Sequence, residues 1–169
     1  MTRHPAISSA IGAIIALALT ACTGGQPMPA SPTTSSGSDQ AETRAAAEER
    51  TGAVQRKIAD TFDAEKLSSE MTRKWVLLAC SDSEVQSAGG ITLRLTKSEA
   101  VDPAYGKIRS EFSTDPSFTV ETDRTGKGLE RLALSRGTGE RYLVTVDNES
   151  LTVRIASFSP CYRGSLSDR

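Results

Sequence analysis

Alternation near the end of the chain constrains the fold more than any other feature. Tyr142, Val144 and Val146 fall on every second position, Asp147-Asn148 turns the chain, and Leu151, Val153 and Ile155 resume the same period. A period of two sends every second side chain to one face of a strand. Two such stretches across a two- to three-residue polar turn make a hairpin. The pattern extends upstream. Phe118 and Val120 begin it, Thr122 to Gly128 contains a turn with two glycines, Leu129 to Arg136 follows, and Gly137-Thr138-Gly139 turns again. The last third is therefore about four strands, and its short turns require antiparallel pairing.

Such a sheet needs something to cover its apolar face. From Ala41 the composition becomes rich in Ala, Glu and Arg, and Val54, Ile58 and Phe62 recur every four residues among charged neighbours. This predicts an amphipathic helix over roughly Glu42 to Lys66. Lys74 to Cys80 is a short apolar run that reads as a buried strand, with Trp75 in the core beside Val76, Leu77 and Leu78. Asp82 to Gly90 reads as a polar loop, and Ile91, Leu93 and Leu95 as a strand with one wet face. Asp102 and Pro103 suit the N-cap and first position of a second helix. Tyr105, Ile108 and Phe112 share one face of it, and Asp115-Pro116 ends it. The expected fold of residues 41–169 is an α+β two-layer sandwich: a mainly antiparallel sheet of about five to six strands packed by two helices, in the order α-β-β-α-β-β-β-β.

The first forty residues are of another kind. Arg3 and His4 precede an almost wholly apolar run from Ala6 to Leu19, which ends in Leu19-Thr20-Ala21-Cys22. The run has the length of a signal-peptide h-region and is shorter than the roughly 20 apolar residues a membrane span needs. Thr23 to Gln40 is Gly, Pro, Ser, Thr, Gln and Ala with a single Met28 and a lone Asp39, a composition of tethers.

Leu19-Thr20-Ala21-Cys22 resembles the lipobox of bacterial lipoproteins. The resemblance implies cleavage between Ala21 and Cys22 and a diacylglyceryl group on the Cys22 thiol. Two acyl chains anchor stably where one would be marginal. Residues 1–21 are then signal peptide, 22–40 the lipidated N-terminus and tether, and the outer face of the cytoplasmic membrane the expected location. The lipobox, the Ser/Thr/Pro tether, the helix before a Trp75-containing strand and the Cys80 and Cys161 pair together resemble small cell-envelope lipoproteins of actinobacteria, including the LppA-like group.

Once Cys22 is committed, Cys80 and Cys161 remain, an even number in a compartment where disulfides persist. They lack the CxxC spacing of redox pairs, so a structural disulfide closing a loop of about 80 residues is expected.

The chemistry of the mature chain is narrow. The one histidine of the sequence, His4, belongs to the expected signal segment, so the mature chain would have none, and Ser-His-Asp and Cys-His catalysis are excluded in their usual forms, as are common zinc sites. There is no Ser-x-x-Lys and no Gly-x-Ser-x-Gly. Thr125-Gly126-Lys127-Gly128 lacks P-loop spacing and reads as a hairpin turn. Asp60 with Asp63 and Asp82 with Glu84 are close in sequence, but a chain only 5% aromatic offers no sugar-binding cleft for them. A net charge of −1 argues against nucleic acid. No cofactor and no metal site is expected. Arg94, Arg131 and Arg154 lie on strands and form a possible row on one sheet face, to be set against balancing by Glu130, Glu140 and Asp147. The sequence reads as a non-catalytic accessory or binding module held to the membrane at Cys22, with an envelope protein or lipid ligand as partner. A carrier of a lipid or other apolar molecule, held between sheet and helices, is the alternative.

Overall fold

The computed structural model describes residues 42–137 and 139–168. The expected signal segment, Ala21 and Cys22 and the expected tether therefore lie outside the described residues. By its contacts the chain divides between Ser38 and Asp39. Both apolar clusters and the disulfide lie within residues 42–168, so the core and the crosslink of the described residues are complete within the unit Asp39–Arg169. Among the described residues no helix is long and apolar enough to cross a membrane.

Helix α1 runs Arg44–Ala59. The Thr43 hydroxyl caps it by accepting from the Ala46 N–H, and Arg56 and Lys57 in the last turn complement the helix dipole. It is shorter than the expected Glu42 to Lys66: the chain leaves the helix at Asp60 and makes a single 3-10 turn, Ala64–Lys66. Its buried stripe begins about two turns before Val54, at Ala47, and is largely small or polar: Ala47, Thr51, Gln55, Ile58 and Ala59.

Strand β1 spans Leu67–Ala79 and strand β2 Glu84–Leu95. Two expectations fail here. Lys74 to Cys80 is not a buried strand but the second half of an exposed one, in which only Leu77 is buried. Asp82 to Gly90 is not a loop, because β2 already begins at Glu84. Helix α2, Val101–Phe112, starts one residue before Asp102, with Ala100 at the cap and no side-chain capping bond. Pro103 in the first turn loses no helical hydrogen bond. Strands β3 (Phe118–Arg124), β4 (Glu130–Arg136), β5 (Glu140–Asp147) and β6 (Thr152–Phe158) follow, then a two-residue β7 (Tyr162–Arg163). Leu151, expected to open a strand, instead sits in the β5–β6 turn at φ 48°. Asp147 builds that turn, its carboxylate accepting the N–H groups of Glu149 and Ser150.

The sheet has seven strands, all antiparallel, one more than the upper expectation. Its order is β1-β2-β6-β5-β4-β3, with β7 beside the start of β2. Helix α2 links β2 to the far edge, and the β3–β6 meander returns to place β6 against β2. The two helices share one face. Ile58 of α1 and Tyr105, Ile108 and Phe112 of α2 enter one core with Ile91, Leu93, Leu132, Leu134, Val144, Val153 and Ile155. The Tyr105 hydroxyl, fully enclosed, points toward the carbonyls of Glu130 and Val144 at 2.9 and 3.1 Å.

Candidate functional site

Among the described residues the other face of the sheet carries no helix. Register decides which side chains it presents, because residues directly opposite across a strand pair point the same way. On β2 the odd positions Ile91, Leu93 and Leu95 are buried under the helices, so the even positions face outward. Arg94 and Arg154 share this outer face, since Arg94 pairs with Thr152 and Thr92 with Arg154. Arg154 in turn faces Thr145, which faces Arg131. The three arginines proposed as a surface row thus share one face, Arg131 and Arg154 in a single cross-strand row and Arg94 one step along.

Their states differ. Arg131 makes a two-pronged ion pair with Asp123, at 2.7 and 2.5 Å. The guanidinium holds the Asp123 carboxyl below the usual carboxylate range, and the pair is spent on itself. Arg94 and Arg154 are exposed and form no ion pair among the described residues. Glu140 does not balance them, contrary to expectation. It is fully enclosed on the helix face, 2.5 Å from Arg50 and 3.6 Å from Arg136. Asp147 does lie on the outer face, and Arg154 is among the charges that lower its pKa, after the bonds from Ser150 and Glu149.

Sequence reading missed the edge beside this row. Arg73, opposite Gly90, and Val76, opposite Ala88, belong to the same outer face. Between them two residues of β1, Lys74 and Trp75, stand against Gly89 alone, a β-bulge. The bulge turns Trp75 to the helix face, half-buried, with its ring laid on Gly89; a Cβ there would meet ring carbons at 2.5–2.9 Å. Gly90 is as tightly covered on its own side, by the Arg73 guanidinium and the Ile155 carbonyl. Arg73, Lys74, Val76, Ala88 and Phe158 line a shallow depression of about 290 Å³.

Beneath α1 lies a second polar group, enclosed rather than exposed. Ser87 bonds Glu48 at 2.8 Å and the Tyr162 hydroxyl at 2.7 Å, and its N–H donates to Ser159. The oxygens of Thr51, Gln55, Tyr142 and Ser157 are buried there without hydrogen bonds among the described residues. Burial pushes the Tyr142 phenol well above the usual range. Of the acids weighed for carboxylate chemistry, Asp63 is held by Lys66 and Lys107, Asp60 stands exposed at the end of α1, and Asp82 and Glu84 stand exposed at the β1–β2 turn.

Cys80, after β1, and Cys161, before β7, have their sulfurs 2.00 Å apart, at disulfide distance. The strands they flank are not neighbours, since β2 lies between β1 and β6; the bridge ties the β1–β2 turn to the C-terminal segment instead.

The chain is thus an α+β protein in which, among the described residues, helices cover one sheet face and leave the other open. No family model matches it, and neither a curated protein nor a solved structure does.

Proposed function

We propose that this chain is a membrane-tethered, extracytoplasmic and non-catalytic binding module that works through its uncovered sheet face. The observation that carries the reading is the asymmetry of the sheet. Both helices pack on one side, and the other displays cations beside exposed apolar residues. A wholly solvated face would carry polar side chains throughout. The tether reading rests on Leu19-Thr20-Ala21-Cys22 and the Pro/Ser/Thr-rich stretch after it.

The carrier alternative needs an apolar space between the layers. Tyr105, Tyr142, Ile108, Leu132 and Leu134 fill that layer and are fully buried, which favours the surface reading.

Fractionation of cells expressing the full chain tests the tether. Cys22→Ala is expected to move the protein out of the membrane fraction. Retention equal to that of the unaltered chain refutes the lipid anchor.

A further inference from the structure

We infer that the half of the open face formed by β1, β2 and β6 docks on an anionic lipid surface. Register fixes its membership. Met71, Thr92 and Arg154 form one row, Arg73, Gly90 and Ala156 the next, and Val76, Ala88 and Phe158 a third. Leu78 opposite Gln86 closes one end, and Arg94 between Ser69 and Thr152 the other. Lys74 projects from the bulge into the same depression as Arg73.

Two properties of this half coincide. Arg73, Lys74, Arg94 and Arg154 are cations, none ion-paired among the described residues, and no carboxylate stands between them in these rows. The acids of the outer face lie outside these rows, Asp147 among them, whose carboxyl the Arg154 charge holds lower, after the bonds from Ser150 and Glu149. Asp147 on β5 accepts from Glu149 and Ser150, and Glu84 lies at the far end of β2 beside Ser81. Met71, Val76 and Leu78 are 59%, 55% and 39% exposed, and all three point to this side of β1.

The combination selects the partner. A soluble polyanion would engage the cations and gain nothing from exposed Met, Val and Leu. An anionic bilayer uses both, with headgroups against the cations and the apolar side chains at the acyl boundary. The choice of a bilayer rests on the membrane-tethered reading, but its test omits the tether, so each can fail alone.

The unit 39–169, with its disulfide formed, is sedimented with vesicles of phosphatidylcholine alone and of phosphatidylcholine mixed with phosphatidylglycerol. Binding to the mixed vesicles only is expected. Each cation held near an anionic leaflet strengthens binding about fivefold. The combined Arg73→Gln, Lys74→Gln, Arg94→Gln and Arg154→Gln variant should therefore bind at least about a hundredfold more weakly. Val76→Ser with Leu78→Ser should weaken it as well while leaving the fold intact, as Trp75 emission will report. Equal binding to both vesicle types overturns the proposal, as does binding indifferent to these substitutions. So does inorganic polyphosphate bound as tightly as vesicles and insensitive to the serine variant, which would make the face a polyanion site.

Discussion

Gly89→Ala places a methyl group where the Trp75 ring already lies. The new Cβ would sit 2.5, 2.7 and 2.9 Å from three ring carbons, whereas carbon atoms rest comfortably at about 3.5–4.0 Å. The indole must therefore retreat by about 1 Å, away from the sheet and toward α1. Overpacking of this kind costs about 1–3 kcal/mol. On the α1 side the geometry is looser: a Cβ on Gly52 would meet the ring at 3.8 Å, an ordinary contact. Gly52→Ala alone is therefore expected to stabilise the helix by about 0.5–1 kcal/mol, from lost backbone freedom in the unfolded chain. In the double variant the displaced ring has less room, and the two effects should depart from additivity by at least about 0.5 kcal/mol. Trp75 is the sole tryptophan, so one urea titration followed by its emission reads both stability and ring environment. Gly89→Ala should lower the midpoint and shift the native emission to the red. An unchanged midpoint with unshifted emission would refute the packing of Trp75 on β2.

Two further outcomes are expected. Reducing the Cys80–Cys161 bond releases a loop of 81 residues, for which chain entropy gives about 4.5 kcal/mol; a urea midpoint indifferent to reductant, with both thiols freely alkylated in native protein, would contradict this. Stability should also fall at both ends of the pH range. Asp63, held low by Lys107 and Lys66, Glu70 by Arg56, and Asp123 by Arg131 have folded pKa values below their unfolded ones. Their contribution is present above about pH 4 and is lost as pH falls through the folded values. The Tyr105 and Tyr142 phenols are raised by burial, so the fold favours their neutral form; that contribution holds below about pH 10 and drains as the pH rises further. Thermal midpoints measured across pH test both limbs, and a flat profile would count against them.

The strands legible in advance were those with one buried face. Tyr142, Val144, Val146, Val153 and Ile155 alternate because they stand between helices and water. Leu67 to Arg73 has no such signature: β1 is the sheet edge, neither of its faces is buried there, and a polar strand lacks a period. Glu84 to Gly90 was hidden by its small residues. Gly89 and Gly90 read as turn signals, yet they are small because Trp75 and Arg73 lie across them. Parity already grouped Arg94 with Ile91 and Leu93 on opposite faces, and it held a second message. Glu140 shares its parity with Tyr142 and Val144, which assigns it inward, although its charge suggested water. Arg73 and Lys74 could not be added to the row from sequence, because their place beside Arg154 depends on β2 lying against β6, a long-range pairing.

The Arg44 guanidinium donates to the Asp168 carbonyl at 3.0 Å. Residues 44 and 168, near the two ends of the described residues, are thus within reach of one arginine side chain, and the backbone between them is topologically close to a closed ring. Such a module can be spliced into a host loop without prying the host apart. By the same geometry its ends can be joined by a few residues and reopened at the exposed Gly126-Lys127 turn, changing the order in which the strands emerge while keeping every pairing of the sheet.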